Sequence, residues 1–249
     1  MKNALFPKVV KNFAVVSMAV SMLVACGASS SSVKKEARDY MNPKISYGEI
    51  TDERDGLVYK SVKIGEQEWM AENLKYDYNN GTAKSWCYDN NPENCKLNGR
   101  LYTWSAAMDS AAVFSEGGKD CGHEAECSAS EPVRGVCPEG WHLPSEKEWQ
   151  TLFDAVGGGS TACTNLKAAR GWRKNGTNSY GFTALPAGFY NNYMEPGFYA
   201  MGYNAHFWSS TEKDIGGAYA MSLFYYKEDA DLSSDSKNNL ISVRCLKDN

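Results

Sequence analysis

The sequence predicts an α+β domain with a loop-rich antiparallel sheet, and three observations carry that expectation. Tyr59-Lys60-Ser61-Val62-Lys63-Ile64 alternates in polarity, Gly65-Glu66 makes a turn, and Gln67-Glu68-Trp69-Met70 returns. A period of two on both sides of a tight turn is the pattern of a hairpin. After Pro144, Ser145 and Glu148 stand as an S-x-x-E capping box, and Trp149, Leu152, Phe153 and Val156 follow at i, i+3, i+4 and i+7. A box that satisfies the free N–H groups of a first turn, followed by one apolar stripe, predicts a buried amphipathic helix. From Gly171 onward the chain changes to short strand-like segments between aromatic loops. A hairpin, then two or three helices, then antiparallel strands is the segregated order of an α+β fold.

The elements follow in order. Lys2, Lys8 and Lys11 precede an uncharged apolar stretch over residues 13–25. That stretch is too short to cross about 30 Å of hydrocarbon as a helix, and its flanks are those of a signal peptide. It ends Leu23-Val24-Ala25-Cys26-Gly27, which resembles a bacterial lipobox, implying cleavage before Cys26 and acylation of its thiol. Residues 1–25 are therefore expected to be a lipoprotein signal peptide. Residues 26–44 are expected to be the lipidated cysteine and a Ser-rich tether, and residues 45–249 one domain. Several acyl chains hold a protein firmly on a bilayer. The residue after Cys26 is not Asp, which favours the outer membrane or cell surface. Within the domain, helices are expected over 101–114, after Pro144 as far as Gly157, and over 164–169. Gly157-Gly158-Gly159-Ser160 reads as a linker. Strands are expected over 181–185, 207–210, 219–225 and 241–246.

Removing Lys2, Lys8 and Lys11 takes the net charge from −4 to −7, and an acidic domain excludes nucleic acid as a partner. Of eight cysteines, Cys26 is assigned to lipid. Cys87 and Cys95 bracket a turn-rich loop and are expected to pair, as are Cys121 and Cys127 around a short loop. Cys137 and Cys245 then join the approach to the main helix to the last strand. Cys163 is left free. An exported chain sits where such bonds persist. The spacings contain no C-x-x-C, which argues against a zinc knuckle.

Of the three histidines, His142 sits beside a helix start and reads as structural. His206 lies among aromatic residues and is a candidate to face a ligand. Glu228, Asp229, Asp231 and Asp235 read as a solvated acidic loop. No metal site, cofactor or catalytic residue is nominated. The densest feature is aromatic: Phe189, Tyr190, Tyr193, Phe198, Tyr199, Tyr203, Phe207 and Trp208 lie within twenty residues, with Asn191, Asn192 and Asn204 among them. Amphipathic rings suit both a core and a recognition surface. Tyr190, Tyr193, Tyr199, Tyr203 and His206 are the candidate ligand-binding residues.

Five segments carry a family resemblance. They are Gln67-Glu68-Trp69-Met70-Ala71-Glu72-Asn73-Leu74, Gly99-Arg100-Leu101-Tyr102-Thr103-Trp104, the run from Cys137-Pro138-Glu139-Gly140-Trp141-His142 through Trp149, Phe207-Trp208-Ser209-Ser210-Thr211, and Val243-Arg244-Cys245. Together these resemble the Fibrobacter succinogenes major paralogous domain, a lipoprotein family. The resemblance implies a C-type lectin-like fold near the formylglycine-generating sulfatase-modifying group, with His142 where that group has Arg. The calcium-dependent sugar motifs of such lectins are not reproduced: Glu195-Pro196-Gly197 and Trp208-Ser209-Ser210 lack the required side-chain oxygens. The expected function is a surface-tethered, non-enzymatic module that binds an extracellular partner, polysaccharide or protein. The alternatives are a divergent enzyme of the formylglycine-generating group, which relies on late cysteines, or a purely structural envelope protein.

Overall fold

The computed structural model describes Met1, residues 35–193 and residues 195–249. The rest of the expected signal peptide, Cys26 and the Ser-rich tract lie outside the described residues. Lys35–Asn249 form one folded unit, so the fold starts ahead of the boundary expected at Ile45. A 3₁₀ turn at Ala37–Tyr40 accounts for the earlier start. Ala37 is buried in the core and Tyr40 packs against it, while Asn42 donates to the Asn178 carbonyl at 2.9 Å.

In chain order the strands are β1 (Gly48–Asp52), β2 (Leu57–Ile64), β3 (Gln67–Met70), β4 (Ser85–Trp86), β5 (Leu101–Tyr102), β6 (Trp141–His142), β7 (Phe189–Asn191), β8 (Gly197–Tyr199), β9 (Asn204–Glu212), β10 (Gly217–Phe224), β11 (Asp231–Ser236), β12 (Ile241–Ser242) and β13 (Leu246–Lys247). The helices are α1 (Pro92–Asn98), α2 (Trp104–Ala107), α3 (Glu146–Ala155) and α4 (Gly159–Leu166). A five-stranded sheet runs β1-β2-β3-β13-β6, a six-stranded sheet runs β11-β10-β9-β12-β5-β4, and β7-β8 form a separate ribbon. Pairing is antiparallel except between β12 and β9. The molecule is a mixed α+β fold with few helices, a curled, mostly antiparallel sheet and three disulfides.

The hairpin forms in the expected register, with Val62 opposite Trp69 and Ile64 opposite Gln67. Helix α3 forms with both halves of its capping box, the Ser145 N–H donating to Glu148 Oε2 at 2.8 Å and the Glu148 N–H to Ser145 Oγ at 3.3 Å. Its apolar stripe is buried. Trp149 stacks on Trp69 at 4.6 Å and meets Phe207 at 6.0 Å, so the helix joins the hairpin to the face of β9. Removing a buried ring of this size costs about 3–5 kcal/mol. A second core, around Tyr102, Trp104, Trp208, Cys137 and Cys245, lies apart from the first.

Four expectations need correction. Residues 101–114 are not one helix. Leu101 and Tyr102 pair instead with Ser242 and Ile241 of β12, and α2 stops at Ala107. The buried Asp109 carboxylate takes the N–H groups of Val113, Phe114 and Ser115 and the Tyr78 hydroxyl. Donors bound to a side chain cannot continue a helix, and Asp109 and Ala112 adopt φ of 57° and 51°. Residues 181–185 are buried but not a strand. Thr183 takes φ 55°, and the Phe182 and Thr183 carbonyls accept from the Arg244 side chain, so pairing is confined to Ala184, which bridges to Lys167 and whose carbonyl also accepts from the Trp172 indole. Residues 241–246 are two strands in different sheets, with Val243-Arg244-Cys245 crossing between them. The helix expected over 164–169 begins at Gly159, because Gly157 and Gly158, at φ 100° and 91°, turn the chain before the third glycine.

Candidate functional site

The aromatic run divides into three structural groups. Tyr190 on β7 points into a small cluster, meeting Trp86 at 4.9 Å and Phe198 at 4.9 Å, with Tyr88 against Phe198 at 5.0 Å. Phe207 and Trp208 are fully buried on opposite faces of β9. The remaining rings of the run, Tyr193 apart, join His206 and three residues at the end of β10 in a continuous wall. Tyr199 meets Phe189 at 5.9 Å, Phe189 meets His206 at 5.1 Å, and His206 meets Phe224 at 5.5 Å. Phe224 meets Tyr226 at 5.7 Å, Tyr226 meets Tyr225 at 5.3 Å, and Tyr225 meets Tyr203 at 5.2 Å. The Arg173 guanidinium lies over Tyr203 and Tyr225, at 5.6 and 5.9 Å. The contacts of Phe189 and Phe224 with His206, of Tyr225 with Tyr226 and of Tyr203 with Tyr225 are edge-to-face, and such pairs stabilise beyond what burial alone does.

Sequence order explains the wall only in part. Tyr199 and Phe189 are register partners on the β7-β8 ribbon, and His206 and Ser222 are partners on β9 and β10. Gly188 lets the ribbon approach: at φ +68°, a Cβ there would collide with the Tyr199 carbonyl oxygen and the Tyr88 ring. Phe224, Tyr225 and Tyr226 come from the end of β10 and were not singled out in the sequence; three consecutive aromatics beyond an alternating strand were the available signal. The outer rings reach solvent. Tyr203 is 40% exposed, Tyr199 38% and Tyr226 59%. Tyr193, 72% exposed, sits on the ribbon's connecting loop.

His206 does not reach the surface. Its Nδ1 lies 2.7 Å from Ser222 Oγ, and its buried Nε2 has no hydrogen-bond partner. Burial pushes its pKa down, and the carboxylates of Asp235 and then Asp231 oppose that only in part. The imidazole is therefore held neutral behind the Phe189 and Phe224 edges. Asp231 is engaged by Lys227 at 2.7 Å, and the Lys227 amine also lies 5.2 Å above Phe224. The acidic loop thus borders the wall.

His142 belongs elsewhere. It lines an open cleft of about 850 Å³ with Glu131, Ser145, Glu146, Glu148, Thr211 and Asp248. Its Nδ1 is 2.7 Å from Asp248 Oδ1 and its Nε2 3.0 Å from Glu148 Oε1. Burial opposes its charge, but the two carboxylates outweigh burial and raise its pKa. Burial likewise raises Glu148, and His142 and Ser145 more than reverse it, so that its pKa is lowered. Glu131 is tied to Ser210 Oγ at 2.7 Å. These groups bond one another across β6, α3 and the chain's end; they form a clasp.

The disulfides are Cys87–Cys95, Cys121–Cys127 and Cys137–Cys245, and Cys163 is a buried free thiol. The late cysteine that the enzyme reading needs, Cys245, is therefore oxidised. The second loop is pinned from within. Glu212 accepts the Cys127 N–H and the ammonium of the fully buried Lys237, which lies 4.6 Å over the Trp104 ring. Among the described residues no three His, Cys, Asp or Glu side chains are placed to hold a metal ion, and no helix is long and apolar enough to cross a membrane.

A disulfide-stapled α+β domain with a rigid aromatic wall and a separate ionic clasp is the class of protein this geometry defines. The chain belongs to the Fibrobacter succinogenes major domain family, whose model matches residues 62–247. No curated protein and no solved structure matches the chain.

Proposed function

We propose that the protein is a lipid-tethered, non-enzymatic binding module of C-type lectin-like architecture, and that it contacts an extracellular partner through the aromatic wall, polysaccharide before protein. The observation that carries this reading is the unbroken chain of ring contacts from Tyr199 to Tyr203, solvent-exposed at Tyr199, Tyr203 and Tyr226. Rings fixed by their neighbours lose little entropy on binding, and aromatic anchors dominate recognition energies. Exposed rings bordered by Arg173 over Tyr203 and Tyr225 and by the Lys227–Asp231 pair beside Phe224 suit a chain of hydroxyls and C–H surfaces. The tether rests on the lipobox at Cys26, and Gly27 rather than Asp after it favours the outer membrane or cell surface.

The test is a glycan and peptide panel presented to intact cells. The combined Tyr193→Ala, Tyr199→Ala, Tyr203→Ala variant should keep its thermal midpoint within a few degrees and lose at least tenfold in retention. A folded variant that retains its partner as well as wild type would remove the wall from the reading. Metabolic labelling with a palmitate analogue tests the tether separately: label on Cys26→Ala protein would refute the lipid assignment.

A further inference from the structure

Cys163 and Lys167 lie one turn apart at the end of α4, and i,i+4 residues share a helix face. Both side chains are buried, Lys167 at 1% exposure. The Lys167 amine donates to the Phe224 carbonyl at 3.2 Å and is 3.5 Å from the Lys227 carbonyl. The Cys163 thiol donates to the same Phe224 oxygen at 3.4 Å, so sulfur and amine converge on one acceptor; burial raises the thiol's pKa, and the neighbouring Lys167 opposes that in part. Trp172 covers the amine, its ring 5.3 Å from Nζ. Among the described residues no carboxylate forms an ion pair with this ammonium. A buried amine without a carboxylate partner is pushed toward its neutral, nucleophilic form, and burial lowers the Lys167 pKa accordingly.

We propose that Cys163 and Lys167 are an oxidation-sensitive pair that closes into a covalent sulfur–nitrogen crosslink under peroxide. In the first step the amine takes the thiol proton and the thiolate attacks hydrogen peroxide. An S–O bond forms and the O–O bond breaks; the departing hydroxide takes the proton back from the Lys167 ammonium and leaves as water, giving the sulfenic acid beside a neutral amine. In the second step the Lys167 nitrogen attacks that sulfur, the S–O bond breaks and a second water leaves, giving a sulfenamide. One peroxide is reduced to two waters and the pair loses two hydrogens. Sulfenic acids condense in this way with backbone nitrogens, and a neutral lysine amine is the stronger nucleophile.

Access comes from α4 itself. The helix reads Gly-Ser-Thr-Ala-Cys-Thr-Asn-Leu, poor in strong helix formers, and its N-cap Gly158 supplies no side-chain bond. A short, weakly capped helix opens locally more readily than the core it covers.

The experiment exposes the full chain, disulfides intact, to millimolar hydrogen peroxide, then maps tryptic peptides without reduction. The expected product is a peptide of residues 148–170, uncut after Lys167 and lighter by about 2 Da, reverting on treatment with dithiothreitol. Lys167→Met should instead leave a dimedone-reactive sulfenic acid on Cys163, and Cys163→Ser should restore cutting after Lys167. Stable oxygen additions on Cys163 with Lys167 still cut would overturn the proposal. So would an unchanged peptide from the folded chain when urea-unfolded chain is oxidised under the same conditions. If Lys167→Met does not fold, the wild-type and Cys163→Ser maps decide between these outcomes by themselves.

Discussion

His142 and His206 are both buried imidazoles on β-strands, yet their surroundings are opposite. His142 in the clasp holds a carboxylate on each ring nitrogen. His206 in the wall holds one hydroxyl, leaves Nε2 unpaired and is boxed by phenyl edges. Carboxylates outweigh burial at the first, and burial prevails at the second, so the same side chain is driven toward imidazolium in one place and toward neutral imidazole in the other. The clasp concentrates charge to close the chain. The wall excludes charge from its interior and presents rings at its rim.

The largest effect should come from cutting the clasp covalently. Cys137–Cys245 closes 108 residues of sequence separation beside the strand pairing of Leu246 with His142. The double Cys137→Ala, Cys245→Ala variant is expected to lose on the order of 4 kcal/mol of unfolding free energy, measured by urea denaturation. A loss below 1 kcal/mol would mean that hydrogen bonds alone hold the last strand.

The clasp's ionic half should be smaller and dependent on pH. Replacing His142 by Gln removes two hydrogen bonds to charged groups, at roughly 1.5–3 kcal/mol before discounting. Asp248 is nearly half exposed, and solvent screening there brings the expectation to the low end. A His with a raised folded pKa contributes stability in full below its unfolded value of 6.5, and loses it as pH rises through the folded value. Glu148, lowered, contributes above 4.5 and loses its share as pH falls. The wild-type advantage over His142→Gln should therefore peak between pH 4.5 and 6.5 and shrink above that window. A difference that is flat from pH 5 to 9 would show that the ring acts by packing rather than by charge.

His206 should behave in the reverse sense. With its folded pKa lowered, its contribution is complete above 6.5 and is lost as pH falls toward the folded value. The wild-type advantage over His206→Gln should thus grow with pH between 5 and 7, where that over His142→Gln does not. Parallel slopes for the two variants would erase the distinction between clasp and wall.

The clasp was far more legible in the sequence than the wall. Its capping box, the bracketing cysteines and Trp149's stripe are short-range patterns, and each carries its own geometry. The wall is assembled by sheet register from β7, β8, β9 and the end of β10. Register between separate strands, such as Phe189 with Tyr199 and His206 with Ser222, leaves no periodic mark, which is why Tyr190 and Tyr199 looked equivalent and Phe224 to Tyr226 were not nominated as site residues. Residues 101–114 misled for a related reason. Ala-rich spacing favours a helix, but one buried carboxylate, Asp109, captures the amides that would extend it. Arg244 shows the same thing at the second sheet crossing. Its guanidinium, lowered by burial to about 9, takes the Phe182 and Thr183 carbonyls that a neighbouring strand would otherwise have bonded.

The smallest stability effect should fall on Tyr193, and it separates recognition from folding most cleanly. Its backbone N–H is held by the Asn191 side chain at 2.9 Å, a bond that Tyr193→Ala leaves intact, and its ring makes no contact with the wall among the described residues. At 72% exposure little apolar area returns to water when the ring is removed. Substitutions of that kind change stability by no more than about 0.5 kcal/mol. Tyr199 differs, because its hydroxyl donates to the Glu195 carbonyl at 2.9 Å and its ring covers Phe189, so Tyr199→Ala should cost more. If the ribbon's tip takes part in binding, Tyr193→Ala lowers retention on the partner without moving the unfolding midpoint. If retention is unchanged while Tyr199→Ala and Tyr203→Ala each reduce it, the contact surface is confined to the wall. A midpoint that shifts by several degrees on Tyr193→Ala would place this ring in the folding core and contradict the exposure on which the comparison rests.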